Sequence, residues 1–250
     1  MSSERQLDNV NDPWSGEHFH RYEEASKLIP YNPSKILDIA CGSGFGSQYL
    51  AKFGHQVIGG DLSKDTILDC KNKYNLANLS FQEIDGTKIP YENHFFDIVI
   101  SFETIEHTTQ YKKMLEEFKR VVKDDGTIIL STPNFLINSP GGVIINKYHT
   151  QEWIYEDFLK ILRDSFSNVT LLGQEYVRYK SHTELKYKIA NIVENIFYIR
   201  GIRKLSISIQ DAIMNMIIQE PMYPLSSNYR FTKDVDEIKR CKTFFAICNP

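Results

Sequence analysis

The chain has 250 residues, of which 42% are apolar, and carries four cysteines and a net charge of −3 at pH 7. That supplies one substantial core and argues against an extended phosphate backbone as partner. Cys41, Cys70, Cys241 and Cys248 lack paired metal-ligand spacing and read as reduced thiols, no apolar run reaches membrane-spanning length, and the N-terminus lacks a signal-peptide build, so the expectation is a cytoplasmic enzyme with no membrane partner.

Residues 1–16 are polar and carry Asn-Asp-Pro, and read as a flexible leader. Phe19, Tyr22, Ala25, Leu28 and Ile29 then recur at helical spacing, and Pro30 and Pro33 end that helix. Apolar runs at 35–39, 56–60, 79–83, 97–101 and 127–131 alternate with helical patterns, the clearest being Met114, Leu115, Phe118, Val121 and Val122. This alternation predicts a doubly wound parallel sheet whose ligands bind beyond the carboxyl ends of the strands. Trp153, Phe158, Ile161 and Leu162 mark a further helix before a sixth strand at 169–176, with Trp153 as its core anchor. The segment 243–248 reads as the closing strand, after an intervening stretch of roughly 65 residues, too long for an ordinary loop. Within it lie two helical patterns, one through Leu185, Ile189, Ile192, Val193, Ile196 and Phe197, the other from Ile207 to Ile218 and apolar on more than one side. The expected division is a core over 17–176, a helical insert over 177–240 acting as a lid or homodimer element, and 241–250 completing the core. Met214 and Met216 are expected to be packing residues, and His18, His55, His94 and His182 ordinary surface or loop residues.

The densest chemistry lies in Ile36-Leu37-Asp38-Ile39-Ala40-Cys41-Gly42-Ser43-Gly44-Phe45-Gly46, an apolar strand with an acid near its end that runs into a glycine turn. Glycines let the backbone turn sharply and a ligand approach closely. Asp61, about 20 residues on, has the spacing of an acid that holds ribose hydroxyls. A pyrophosphate would be repelled by Asp38, whereas the ammonium and sulfonium of an amino-acid-bearing nucleoside would be attracted. These residues point to S-adenosylmethionine.

Here the chain resembles the class I S-adenosylmethionine-dependent methyltransferases, whose first motif has the form D-x-x-C-G-x-G-x-G. The likeness continues in order through Asp61-Leu62-Ser63, the segment ending at Asp85-Gly86, the fourth strand ending at Ser101, and Gly126 through Asn134. It implies a Rossmann-like, mostly parallel seven-stranded sheet with an antiparallel last strand, preceded here by the helical insert. It also implies a cofactor site formed by Arg21, Tyr22, Asp38, Ala40, Gly42, Ser43, Gly44, Asp61, Leu62, Ser63, Asp85, Gly86, Ser101 and Phe102.

A second constellation follows the fourth strand. Glu103-Thr104-Ile105-Glu106-His107, with the later His149-Thr150-Gln151-Glu152-Trp153, brings carboxylates and imidazoles toward the rim where a methyl acceptor must sit. The pattern resembles the metal-ligand sets of ubiquinone-pathway O-methyltransferases and small-RNA 2′-O-methyltransferases, and the T-P-N…H…E-W stretch resembles surface-glycan methyltransferases. Two roles follow. Glu103, Glu106, His107 and His149 hold a divalent metal ion, or His107, His149 and Glu106 work as an ion-free acid/base site. The leading expectation is O-methylation of a small molecule such as a sugar, a nucleotide-linked or a surface-polysaccharide precursor. An RNA-end 2′-O-methyltransferase, a quinone or phenol O-methyltransferase, and a non-catalytic S-adenosylmethionine-binding module are the alternatives. The mild acidity argues against RNA.

Overall fold

The structure, a computed structural model, describes residues 14–30, 33–180, 182–199 and 206–250; most of the leader expected over 1–16 lies outside them. The described residues form two compact units: Tyr22–Glu175 with Phe231–Pro250, and those up to Arg21 with Tyr176–Arg230.

In the larger unit, the sequence forms strands whose apolar content is densest in the parallel centre of the sheet, where both faces are buried. These are β1 (Lys35–Ile39), β2 (Gln56–Asp61), β3 (Leu79–Glu83), β4 (Phe96–Phe102), β5 (Val122–Pro133), β6 (Asn168–Tyr176) and the closing β8 (Thr243–Asn249). Successive side chains divide between two cores. Leu37, Ile39, Val99, Ile128, Leu130 and Phe244 enter one; Ile36, Ile98, Ile100, Ile129 and Phe245 enter the other. Burying each such side chain contributes roughly 1.5–3 kcal/mol. The helices α2 (Phe45–Ala51), α3 (Lys64–Lys73), α4 (Tyr111–Val121) and α6 (Tyr155–Ser165) follow or precede these strands, with a single turn, α5 (Phe135–Asn138), after β5. The expected stripe of α4 is buried at Met114, Leu115, Phe118 and Val121. Trp153 is a core anchor, stacked 6.0 Å from Phe158.

With β7 (Tyr229–Thr232) as the last strand, the sheet order is β3-β2-β1-β4-β5-β8-β6-β7. From β3 through β5 all pairings are parallel, and β8 runs antiparallel between β5 and β6. The sheet therefore has eight strands, not the seven expected. The addition is β7 (Tyr229–Thr232), four residues at the edge beside β6, too short to display an alternation in sequence. Phe231 fastens it, its ring 4.4 Å from that of Phe245. A final turn, α9 (Val235–Ile238), is capped by Asp234, whose side chain accepts from the Glu237 amide.

The smaller unit holds the start of α1 (Ser15–Leu28), and α7 (Leu185–Ile199) packed with α8 (Ile207–Ile218) around Ala190, Met214, Ile218 and Met222. Its polar centre is Arg178, fully buried, which donates to Glu194 at 3.1 Å, Glu220 at 3.0 Å and the Met222 carbonyl at 3.0 Å. Tyr176 and Tyr179 also donate to Glu194. Removing one member of a buried pair strands the other charge, so Arg178→Met is expected to destabilise this unit by about 3–5 kcal/mol. A lowered denaturant midpoint, partly restored by adding Glu194→Gln, is the check. Met216, expected in packing, is 89% exposed, and His55, expected as a surface or loop residue, lies in the loop before β2, buried with its Nδ1 accepting from the Ser34 amide at 3.2 Å. No helix among the described residues is long and apolar enough to cross a membrane.

Candidate active site

Strand order reverses between β1 and β4, and an open parallel sheet has its crevice at that reversal. The register brings the tips level: Asp38 lies opposite Ile100, Asp61 opposite Glu83, and Phe102 opposite Ser131. Two non-glycine residues at this reversal have left-handed backbones, Ala40 just past β1 (φ 59°) and Glu103 just past β4 (φ 50°). Such strain concentrates at functional sites, and nothing in these residue types announces it in a sequence. Ala40 is followed by Gly42 (φ 54°) and Gly44 (φ 77°). Alternating left-handed residues turn successive amides toward one side, a concavity suited to an anionic or strongly polar group.

Asp38 lies under this turn. Its carboxylate accepts from Ser47 Oγ at 2.6 Å and from Tyr22 Oη at 3.1 and 3.2 Å. Burial pushes its pKa up to about 7, the two hydroxyls pull it back, and the charge of Asp61 adds to the rise. The Tyr22 ring meets Phe102 and Phe45 edge-on at 4.9 and 5.3 Å. It also covers Gly46, where an added Cβ would lie 1.9 Å from the ring. Asp61 ties two turns together, accepting from the Gly42 amide at 3.2 Å and the Ser63 amide at 2.9 Å. Ser63 caps α3 and Leu62 stands exposed beside it. Asp85 is exposed and accepts from the Thr87 amide and hydroxyl, both at 2.8 Å, and Gly86 is buried against Met114. Beneath the glycines, Cys70 Sγ donates to the Gly42 carbonyl at 3.3 Å. Arg21 belongs to the smaller unit, buried with its guanidinium on Glu17 at 2.6 Å.

The second constellation gathers beyond β4 and β5. A short 3-10 turn, Ile105–His107, buries Glu106, whose Oε2 accepts from Thr132 Oγ1 at 3.0 Å. The Glu106 carbonyl accepts from the Thr150 amide at 2.8 Å and the Thr150 hydroxyl at 3.0 Å, which fixes the distant segment around His149 beside it. The imidazoles of His107 and His149 meet edge-on, 4.8 Å apart. Both rings are held in place. His107 Nδ1 donates to the Tyr148 carbonyl at 3.1 Å, and His149 Nδ1 donates to Glu152 Oε1 at 2.6 Å. That tautomer leaves His149 Nε2 as an acceptor, here receiving the Asn146 amide at 2.9 Å. Glu152 is itself oriented by Ser139 Oγ at 2.8 Å. The H-x-x-E-W motif carries Glu152 beside His149 but assigns it no role, and Asn146 and Ser139 belong to no motif in the sequence.

Glu106, His107 and His149 offer ligand atoms within 4.8 Å of one another. Two imidazoles with their other nitrogens held, joined by one carboxylate, form a donor set suited to a divalent transition ion. Glu103 lies outside this cluster, and its carboxylate accepts from Ser131 Oγ at 2.7 Å.

Residues 37–130 match the family model described as a methyltransferase domain. The chain is 28% identical over 168 residues to a protein of Mycobacterium tuberculosis named as a probable S-adenosylmethionine-dependent methyltransferase, a match covering 66% of this chain and 60% of that one. It is 29% identical over 111 residues to a phthiotriol/phenolphthiotriol dimycocerosates methyltransferase of Mycobacterium leprae, covering 44% and 41%. The matched part thus spans about 60% or less of these relatives' length. A solved S-adenosylmethionine-dependent methyltransferase from Archaeoglobus fulgidus superposes with a TM-score of 0.57 at 19% identity, covering 92% of both chains. The YcgJ protein of Bacillus subtilis gives 0.57 at 17% identity, covering 92% and 97%. At such identities the likeness is one of fold.

The cofactor of these relatives suits the residues present. Ser43 Oγ and Ser101 Oγ are buried without a hydrogen-bond partner among the described residues, one in the glycine turn and one near the tip of β4. Gly42 faces open space where a side chain would intrude. Among the described residues, carboxylates and no buried basic groups stand at the tips of β1 and β2, as suits a sulfonium and an ammonium.

Proposed function

We propose that this chain, an S-adenosylmethionine-dependent methyltransferase by its domain and its relatives, methylates a hydroxyl oxygen of a small acceptor. The observation that carries this reading is His149 held by Glu152 beside His107 and Glu106. A hydroxyl must lose its proton as the new bond forms, and an imidazole oriented by a carboxylate is suited to receive it. His149 Nε2 is the receiving atom, and Asn146 must release it when the acceptor enters. His107 and Glu106 orient the acceptor beside it. If an ion occupies Glu106, His107 and His149, it supplies acidity to the acceptor hydroxyl.

When bound, S-adenosylmethionine supplies an electrophilic methyl group. Asp61 holds the ribose hydroxyls, Leu62, Ser63, Asp85 and Gly86 border the base, and the turn Ala40, Gly42, Ser43 and Gly44 admits the amino-acid end. Ser101 and Phe102 line the side toward β4. Asp38 supplies negative charge from beneath the turn, and Tyr22 acts through Asp38. Arg21, engaged with Glu17, is left out of this set. The chain's main contribution to rate is alignment of acceptor, methyl and sulfur.

A sugar, a nucleotide-linked or a surface-polysaccharide precursor remains the favoured acceptor class, from the Thr132-Pro133-Asn134 and Glu152-Trp153 pattern. Two mycobacterial relatives, of Mycobacterium ulcerans and Mycobacterium leprae, are named for phthiotriol and phenolphthiotriol dimycocerosates, and the triol in those names supports oxygen as the acceptor atom. Incubation with labelled donor and a panel of sugar nucleotides, phenols, amines and RNA ends tests the reading: O-methyl products are expected, and methylation of amines alone would end it. Turnover that survives exhaustive chelation assigns proton removal to the imidazoles. Turnover lost and restored by a divalent salt assigns the ion.

Donor binding is expected to depend on pH through Asp38. Its pKa in the fold, about 7, stands above the unfolded value of 3.8. The protonated form therefore stabilises the empty protein below pH 4, and that contribution is lost as pH rises toward 7. A cationic donor favours the ionised form, so below pH 7 binding must expel a proton, and affinity should fall by up to about tenfold per pH unit. Calorimetry in two buffers of different ionisation enthalpy reads that proton directly, and Asp38→Asn should flatten the profile.

A further inference from the structure

Helix α7 carries its most apolar face outward. Leu185, Ile189, Ile192 and Ile196 recur at i, i+4, i+7 and i+11, one stripe of a helix, and are 72%, 43%, 60% and 37% exposed. The opposite side of the same helix supplies the buried Ala190 and Glu194, so the stripe is not the face that folds the unit. Four large aliphatics aligned in solvent form a patch of the kind that marks an interaction surface. Helix α8 adds exposed Ile209 and Met216.

The stretch of sequence that holds this stripe is opposite in charge to the rest of the chain. Residues 176–230 carry eight Lys and Arg against four Asp and Glu, a net of +4, while the remainder carries −7, and three of the eight, Arg200, Arg203 and Lys204, lie outside the described residues. Of those four acids, Glu194 and Glu220 are engaged by the buried Arg178, and Glu184 pairs with Lys186 at 3.1 Å. Lys186 and Lys188 stand exposed on the two shoulders of the stripe, and Lys180 precedes the helix. A helix with an aliphatic face shouldered by lysines lies in the plane of an anionic lipid surface, with its side chains at the headgroup boundary and its amines on lipid phosphates.

We propose that α7 docks this protein on an anionic bilayer surface through Leu185, Ile189, Ile192 and Ile196, with Lys186 and Lys188 on lipid headgroups. A second copy of the chain fits less well, since a two-fold contact sets the same basic region against itself. The sequence-based expectation of no membrane partner rested on spanning length, and surface binding needs none.

The test is co-sedimentation of the full chain with phosphatidylcholine vesicles, with and without phosphatidylglycerol. The wild type should pellet with the anionic vesicles only and be released by high salt. Ile189→Ser with Ile192→Ser, and separately Lys186→Glu with Lys188→Glu, should each lower vesicle partitioning at least tenfold. Thermal unfolding and binding of S-adenosylhomocysteine should stay at wild-type values in both. Wild-type protein remaining in the supernatant with anionic vesicles would overturn the proposal. So would equal binding to neutral vesicles, or sedimentation velocity showing a dimer that Ile189→Ser with Ile192→Ser abolishes while vesicle binding persists. None of these readouts requires turnover.

Discussion

Replacing His149 with alanine should lower kcat by about 10²–10⁴-fold, the usual contribution of a positioned general base, while donor affinity stays near wild type. The separation is expected because Glu152, Asn146 and the edge of His107, which hold His149, belong neither to the glycine turn nor to the Asp38 and Asp61 hydrogen bonds. Glu152→Gln should reproduce much of the loss. A glutamine can turn its amide toward Nδ1 and reverse the tautomer, leaving Nε2 protonated and unable to accept. The double variant should lose little more than either single one, because residues that act as a unit are non-additive. Initial rates at saturating donor, with donor affinity by calorimetry, read both quantities. Wild-type turnover in His149→Ala would remove this side chain from the chemistry, whether as base or as ligand.

Gly46→Ala should damage the donor site from behind. The added Cβ would lie 1.9 Å from Tyr22 Cζ, and that ring cannot retreat, since Phe45 and Phe102 hold its edges and its hydroxyl is on Asp38. Overpacking of this kind costs about 1–3 kcal/mol, and the Tyr22–Asp38 bond should break as the ring shifts. The expected result is a lower melting temperature together with donor affinity weakened at least about tenfold, taking the upper half of that range as lost from the bound state. Gly42→Ala is the informative contrast. Nothing lies within 4 Å of its added Cβ, so packing is spared, although its φ of 54° costs roughly 1–2 kcal/mol in backbone strain. That methyl enters open space on the donor side of the turn, so Gly42→Ala should lose donor affinity with a smaller loss of stability. Equal losses in both readouts for the two variants would contradict the assignment of the cleft.

What the sequence disclosed follows from burial. Strands β1 and β4 were legible because both their faces are buried, so that they read as apolar runs broken by Asp38 in one and by Asp97 and Ser101 in the other. Asp38, Asp61 and the glycine turn were legible because their spacing is local. Strand β7 was not, since four residues at an edge carry no period. Ala40 and Glu103 were hidden for a different reason: a left-handed backbone at a non-glycine residue leaves no compositional mark. The junction of His107 with His149 was only suggested, because hydrogen bonds from Thr150 to the Glu106 carbonyl, between residues 44 apart in sequence, create it. In sequence, Leu185, Ile189, Ile192 and Ile196 mark only a helix within the expected lid or dimer element; the exposure of Leu185 and Ile192 shows which face of that helix is left uncovered.

The account rests on the tips of β1 and β2 enclosing a nucleoside that bears a cationic amino-acid arm. Calorimetric titration with S-adenosylhomocysteine, the demethylated product, tests this without knowledge of the acceptor. One site per chain is predicted, with binding abolished by Asp61→Ala, whose carboxylate, proposed to hold the ribose, accepts from the Gly42 and Ser63 amides. Absence of heat with the wild type, or undiminished binding in Asp61→Ala, would contradict it.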